Sequence, residues 1–113
     1  MAMPSVRDTR VPAPQTEALI NGFVRRVATL PHVREVRLVD DGQEWLLWTL
    51  IEAEPFDRSA REPVYQAQLA TLQDHPATDV SFCLTNLAEY PDVAVDEMVS
   101  TDSRILWTKP ELA

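Results

Sequence analysis

Glycine is nearly missing from this chain: 113 residues contain two, Gly22 and Gly42. A loop that wraps a phosphate needs glycines in series, so that backbone N–H groups can close on the anion. Neither a Walker loop nor a dinucleotide fingerprint can be assembled here, and a Gly-x-Ser-x-Gly elbow is equally absent. Cysteine is scarcer still. Cys83 stands alone, which forbids an intrachain disulfide and a cysteine-rich zinc centre and suits a reducing cytoplasm. His32 and His75 are the only histidines, and their spacing matches no metal-ligand pattern, so no metal or other cofactor is expected. No apolar run approaches the roughly 18 residues of a membrane span, and no charged-then-apolar leader is read. Basic residues are the minority: 10 Lys and Arg against 18 Asp and Glu give a net charge of −8. That balance works against nucleic acid, where cations supply most of the affinity. A cytoplasmic chain that binds neither membrane nor nucleic acid is the expectation.

What the sequence has is ordinary globular material. At 113 residues with 45% apolar and 25% charged side chains, the chain is long enough for one domain that buries roughly 65% of its unfolded surface. The stretch 1–15 carries Pro4, Pro12 and Pro14 without periodicity and reads as an extended or flexible tail, leaving 16–113 as the domain. From Thr16, the residues Ile20, Phe23, Val24, Val27 and Leu30 recur at three- and four-residue steps, an amphipathic helix stopped by Pro31. In "REVRLV", Val36 and Leu38 face one way, Arg37 and Val39 the other. Asp-Gly then supplies the positive φ of a hairpin turn. "EWLLWTLIEAE" is apolar on both faces, the mark of a central strand, with Trp45 and Trp48 on opposite sides. Ser59 and Glu62 match a capping box for a second helix, with Tyr65, Leu69 and Leu72 as its inner face, His75 at its end and Pro76 closing it. Val80, Phe82 and Leu84 alternate inward on a third strand, a short helix led by Asp92 follows, and "RILW" is a last strand. The expected fold is α+β, a small mixed sheet with a central hairpin and two main helices, in the order α-β-β-α-β-short α-β.

The order of elements, together with "VREVRLVDDGQEWLLWTLIE", resembles the minimal nucleotidyltransferase fold over roughly 18–109, and "DSRILWTK" resembles the closing strand of its small antitoxin-type members. In that family a helix leads into a strand, a Gly-Ser turn and a second strand with two aspartates one residue apart. A third acidic residue on a later strand completes a magnesium site. This chain departs at each of those points. Val39-Asp40-Asp41-Gly42 replaces the Gly-Ser turn, Glu44-Trp45-Leu46-Leu47-Trp48 carries no aspartate pair, and Ser81 or Cys83 stands where the later acid belongs, with Asp79 just before it. The resemblance therefore implies a degenerate member whose catalytic motifs are gone, and no catalytic residue is carried over.

The remaining chemistry is thin. Cys83, between Phe82 and Leu84, reads as a buried, inert thiol. If the chain were a small carboxylate-dependent enzyme, Glu52, Glu54 and Asp79 would have to converge in one cleft. Tryptophan is favoured at binding surfaces, and Trp48, Trp107 and Tyr90 are the candidate interaction residues. The leading expectation is a non-catalytic binding or regulatory module, homodimeric, with protein partners. The alternative is an acidic inhibitor or immunity-type protein that masks a basic toxin or nuclease.

Overall fold

In the computed structural model, which describes residues 11–55, 57–76, 79–99 and 103–110, the first apolar stripe becomes α1 (Pro14–Val27). The helix begins two residues before Thr16, with Pro14 in its first turn, where a missing N–H costs nothing. Leu19, Ile20, Phe23 and Val27 are its buried face, and Arg25 and Arg26 suit the negative end. Of the expected tail, residues 1–10 lie outside the described residues.

β1 (Val33–Asp40) and β2 (Trp45–Ile51) pair antiparallel, with Leu38 opposite Leu47 and Arg37 opposite Trp48. The connection is braced by its own acids. Asp40 Oδ1 accepts the Gly42 N–H at 2.9 Å, and Asp41 Oδ1 accepts those of Gln43 and Glu44 at 2.9 and 2.7 Å. Gly42 has φ +94°, a conformation that side chains with a Cβ rarely adopt.

α2 (Arg58–Asp74) then carries the chain back so that β3 (Val80–Asn86) lies parallel to β2, Phe82 beside Leu47. Two expectations for α2 are corrected. Its cap is Asp57, which accepts the Ser59 N–H at 2.9 Å and the Ser59 hydroxyl at 2.5 Å; no Ser59–Glu62 box forms. The hydrogen bonds from the Ser59 side chain and backbone hold the Asp57 carboxyl below its ordinary value. Its inner face is Ala60, Val64, Ala67 and Thr71, whereas Tyr65 and Leu69 are 45% and 53% exposed and Leu72 packs only partly. Small residues form the buried face of this helix, which packs on α1, and the larger side chains turn outward.

After β3 come a single 3₁₀ turn (Leu87–Glu89), α3 (Val95–Met98) and β4 (Arg104–Thr108), which pairs antiparallel with β1. α3 starts after Ala94 and is not led by Asp92. The sheet order is β3-β2-β1-β4, so the hairpin is its centre, and the architecture is the expected α+β mixed sheet with two main helices. Both helices cover one face. Leu19, Phe23, Val27, Val36, Leu47, Ile51 and Val64 are wholly buried there, and Phe23 and Phe82 meet with ring centroids 4.9 Å apart. Phe82 itself is only half-buried, because β3 is an edge strand.

Candidate functional site

The opposite face of the sheet is built by alternation. Every second residue that does not face the helices appears here: Arg37 and Val39 from β1, Leu46, Trp48 and Leu50 from β2, Ser81, Cys83 and Thr85 from β3, and Ile105 from β4. Its cover is partial. Val39, Leu50 and Val99 form a small second core, against which Leu46, Trp48, Leu87, Val95 and Met98 pack. Trp48 and Cys83 stay half-exposed, and Ile105 is 53% exposed.

An ion-pair cluster clasps α3 to this face. Arg37, 8% exposed as a residue, bonds Glu35 through Nε; its Nη1 donates to Asp96 at 2.8 Å and to Ser103 at 3.0 Å. Burial pulls the Arg37 pKa down, and the hydrogen bonds and charges of Asp96 and Glu35 more than offset that, leaving it above its ordinary value. Sequence reading placed Arg37 beside Val39 but missed its role. The available signal was Glu35, two positions earlier on the same strand face.

The three candidate carboxylates do not meet. Glu52 and Glu54 follow the last residue of β2, while Asp79 precedes the first residue of β3. Because the two strands run parallel, with Trp45 beside Val80 and Ile51 beside Asn86, the acids stand at opposite ends of a strand about 20 Å long. Asp79 also accepts the Thr16 hydroxyl at 2.9 and 3.0 Å, tying the start of β3 to the first turn of α1. Glu52 faces Arg34 at 3.6 Å on the surface. Among the described residues, no group of three or more His, Cys, Asp and Glu could hold a metal ion, and no helix is long and apolar enough to cross a membrane.

The candidate interaction residues separate as well. Trp48 lies next to Cys83 on the outer face; Trp107 packs toward the helix-side core at the β4 edge, beside Val36; Tyr90, 48% exposed, sits just past the 3₁₀ turn that follows β3. Burial, and then the Glu44 carboxylate, push the Cys83 thiol up, so it is protonated at neutral pH. A separate groove of about 520 Å³ runs along α1, with Asn21, Arg25, His75 and Leu106 in its wall. Arg26 and Asp74 form an ion pair close to it.

No protein-family model matches this chain, and no curated protein matches it. Solved structures with a similar outline exist. A candidate nucleotidyltransferase of Sulfolobus solfataricus is 13% identical, with 88% of this chain and 91% of that one covered and a TM-score of 0.44. A MamM CTD variant in its zinc form is 21% identical over 66% of this chain and 86% of that one, with a TM-score of 0.39. Its nickel form is 21% identical over 62% and 96%, at 0.38. Function must be argued from the residues of the chain itself.

Proposed function

We propose that this chain is a non-catalytic binding or regulatory module of nucleotidyltransferase-like outline that acts as a homodimer in a reducing cytoplasm. The observation that carries the reading is the half-covered outer face of the sheet. Catalysis by carboxylates requires two of them within one cleft, at least one desolvated enough to hold a proton near neutrality. Glu52 and Glu54 stand a strand length from Asp79, whose carboxylate is already engaged by Thr16. Binding requires less: apolar groups left partly uncovered beside strand edges that can still form hydrogen bonds. Trp48, Tyr90 and Ile105 are such groups, and Trp107 adds a half-buried indole at the β4 edge. The test is calorimetric titration with magnesium and ATP at millimolar concentration. No saturable heat is expected, since the turn after β1 has one glycine and β2 has no aspartate. A stoichiometric isotherm of micromolar affinity would overturn the non-catalytic reading.

A further inference from the structure

The two edges of the sheet are not alike. β4 carries the usual protections of an exposed strand: its ladder with β1 is broken by a register shift opposite Val36 and Arg37, and Arg104 and Lys109 flank its apolar centre. β3 has none of them. Its seven residues, Val80-Ser81-Phe82-Cys83-Leu84-Thr85-Asn86, include no charge, no proline and no glycine, and they pair with β2 at every position without a shift. The phase of its backbone is fixed. Trp45, opposite Val80, donates its N–H to the Asp79 carbonyl at 2.7 Å, so the polar groups of Ser81, Cys83 and Thr85 turn toward β2. Those of Val80, Phe82 and Leu84 turn to the open side, and none of them is hydrogen-bonded to another described residue.

We propose that β3 is the assembly edge of this protein, and that two copies pair through antiparallel β3 strands about a two-fold axis at Cys83. The inference rests on the reading of a self-associating module and names the surface it uses. A two-fold axis at Cys83 is the register in which all seven residues overlap. Phe82 then exchanges both backbone hydrogen bonds with the partner's Leu84, and the two half-buried side chains join the helix-side cores of the copies. On the other face, Ser81 stands opposite the partner's Thr85, a hydroxyl pair that suits a wet surface. Charge permits the contact. The chain carries −8, yet no acid lies within the paired strand, and the nearest ones are engaged: Asp79 by Thr16, and Glu44 by the Ser81 hydroxyl at 2.8 Å. A symmetric pair closes on itself, so assembly stops at two. Trp48, next to Cys83 in the sheet, flanks the contact, whereas Trp107 lies at the far edge.

The sole cysteine reports the register. Cys83 turns its N–H and C=O to β2, so it faces its symmetry mate as a non-hydrogen-bonded pair, with Cα atoms about 4.5 Å apart. A disulfide spans that distance. The full chain is examined by sedimentation equilibrium at micromolar loading, and separately oxidised with copper–phenanthroline above pH 8, because the thiol is pushed up. The oxidant takes up two electrons as the two thiols lose their protons and form one S–S bond. The expected mass is twice the 12.8 kDa of one chain, with rapid conversion to a covalent dimer. Cys83→Ser should remain dimeric without crosslinking. Ser81→Glu combined with Thr85→Glu sets like charges opposite one another and adds to the −8 of each copy; it should weaken association at least tenfold and suppress crosslinking while circular dichroism stays unchanged. A wild-type chain that sediments as a monomer throughout would overturn both the inference and the self-association it rests on. A dimer whose Cys83 resists oxidation, and which the glutamate pair leaves intact, would overturn the β3 contact alone and leave the binding module standing.

Discussion

Thr49 lies at the middle of β2 on the helix side, wholly buried, and its hydroxyl has no hydrogen-bond partner among the described residues. Its neighbours there are apolar: Val36 pairs with it from β1 and Leu84 from β3. A hydroxyl buried without a bond costs on the order of 1–3 kcal/mol of lost hydration, and valine has nearly the same shape without that cost. Thr49→Val should therefore stabilise the protein by about 1 kcal/mol, read as a higher urea midpoint at unchanged slope. A lower midpoint would mean that the hydroxyl has a partner. Asn86, equally buried, shows the contrary case: its side chain accepts N–H groups from Ala53 and Ala88 and donates to the Ala53 carbonyl, locking the exit of β3 to that of β2. One buried polar residue is satisfied and structural. The other is a correctable defect.

At the scale of elements, α3 poses the question of what holds a helix of four residues in place. A single turn has no stability of its own, since nucleation costs more than one hydrogen bond returns. It is held from below by Val95, Met98 and Val99 on Val39 and Leu50, and from the side by Arg37. The two ion pairs of Arg37 are unequal. The Glu35 side chain is 16% exposed, whereas that of Asp96 is 69% exposed. Removing Arg37 would strand the mostly buried Glu35 charge, so Arg37→Ala should cost on the order of 3 kcal/mol. Asp96→Ala removes only the exposed partner and should cost less than about 1 kcal/mol. Denaturant unfolding of both variants checks the ranking. Equal losses would mean that Asp96 carries as much of the clasp as Glu35.

For the whole molecule, charge is the dominant fact. Two copies at −8 each repel over distances longer than any single contact. The uncharged β3 edge is where that repulsion opposes pairing least, and salt screens what remains: the Debye length falls to about 8 Å at 0.15 M. Self-association should accordingly strengthen as salt rises from about 0.01 to 0.3 M, by roughly tenfold in Kd. Sedimentation equilibrium across a salt series tests this. A dimer that weakens with salt would instead be held by ion pairs, which the β3 edge does not contain.

How much of this was legible in the sequence depended on how local the cause was. Period-two alternation placed Val36 and Leu38 opposite Arg37 and Val39, and the doubly apolar run from Trp45 to Ile51 identified the central strand, because side-chain direction along a strand needs no tertiary information. The scarcity of glycine and cysteine settled which sites could not be built. The inner face of α2 was misjudged because the largest apolar residues were assumed to be buried, whereas the buried stripe of this helix is built on small residues, Ala60 and Ala67 among them. Nothing in the sequence could separate Glu52 from Asp79 by the length of a strand, since that follows from β2 and β3 running parallel, a consequence of the α2 crossover. The burial of Arg37 under α3 and the contrast between a protected β4 and an unprotected β3 are likewise properties of strand order. Local sequence fixes which way each side chain points; only the assembled sheet decides which strand becomes its open edge.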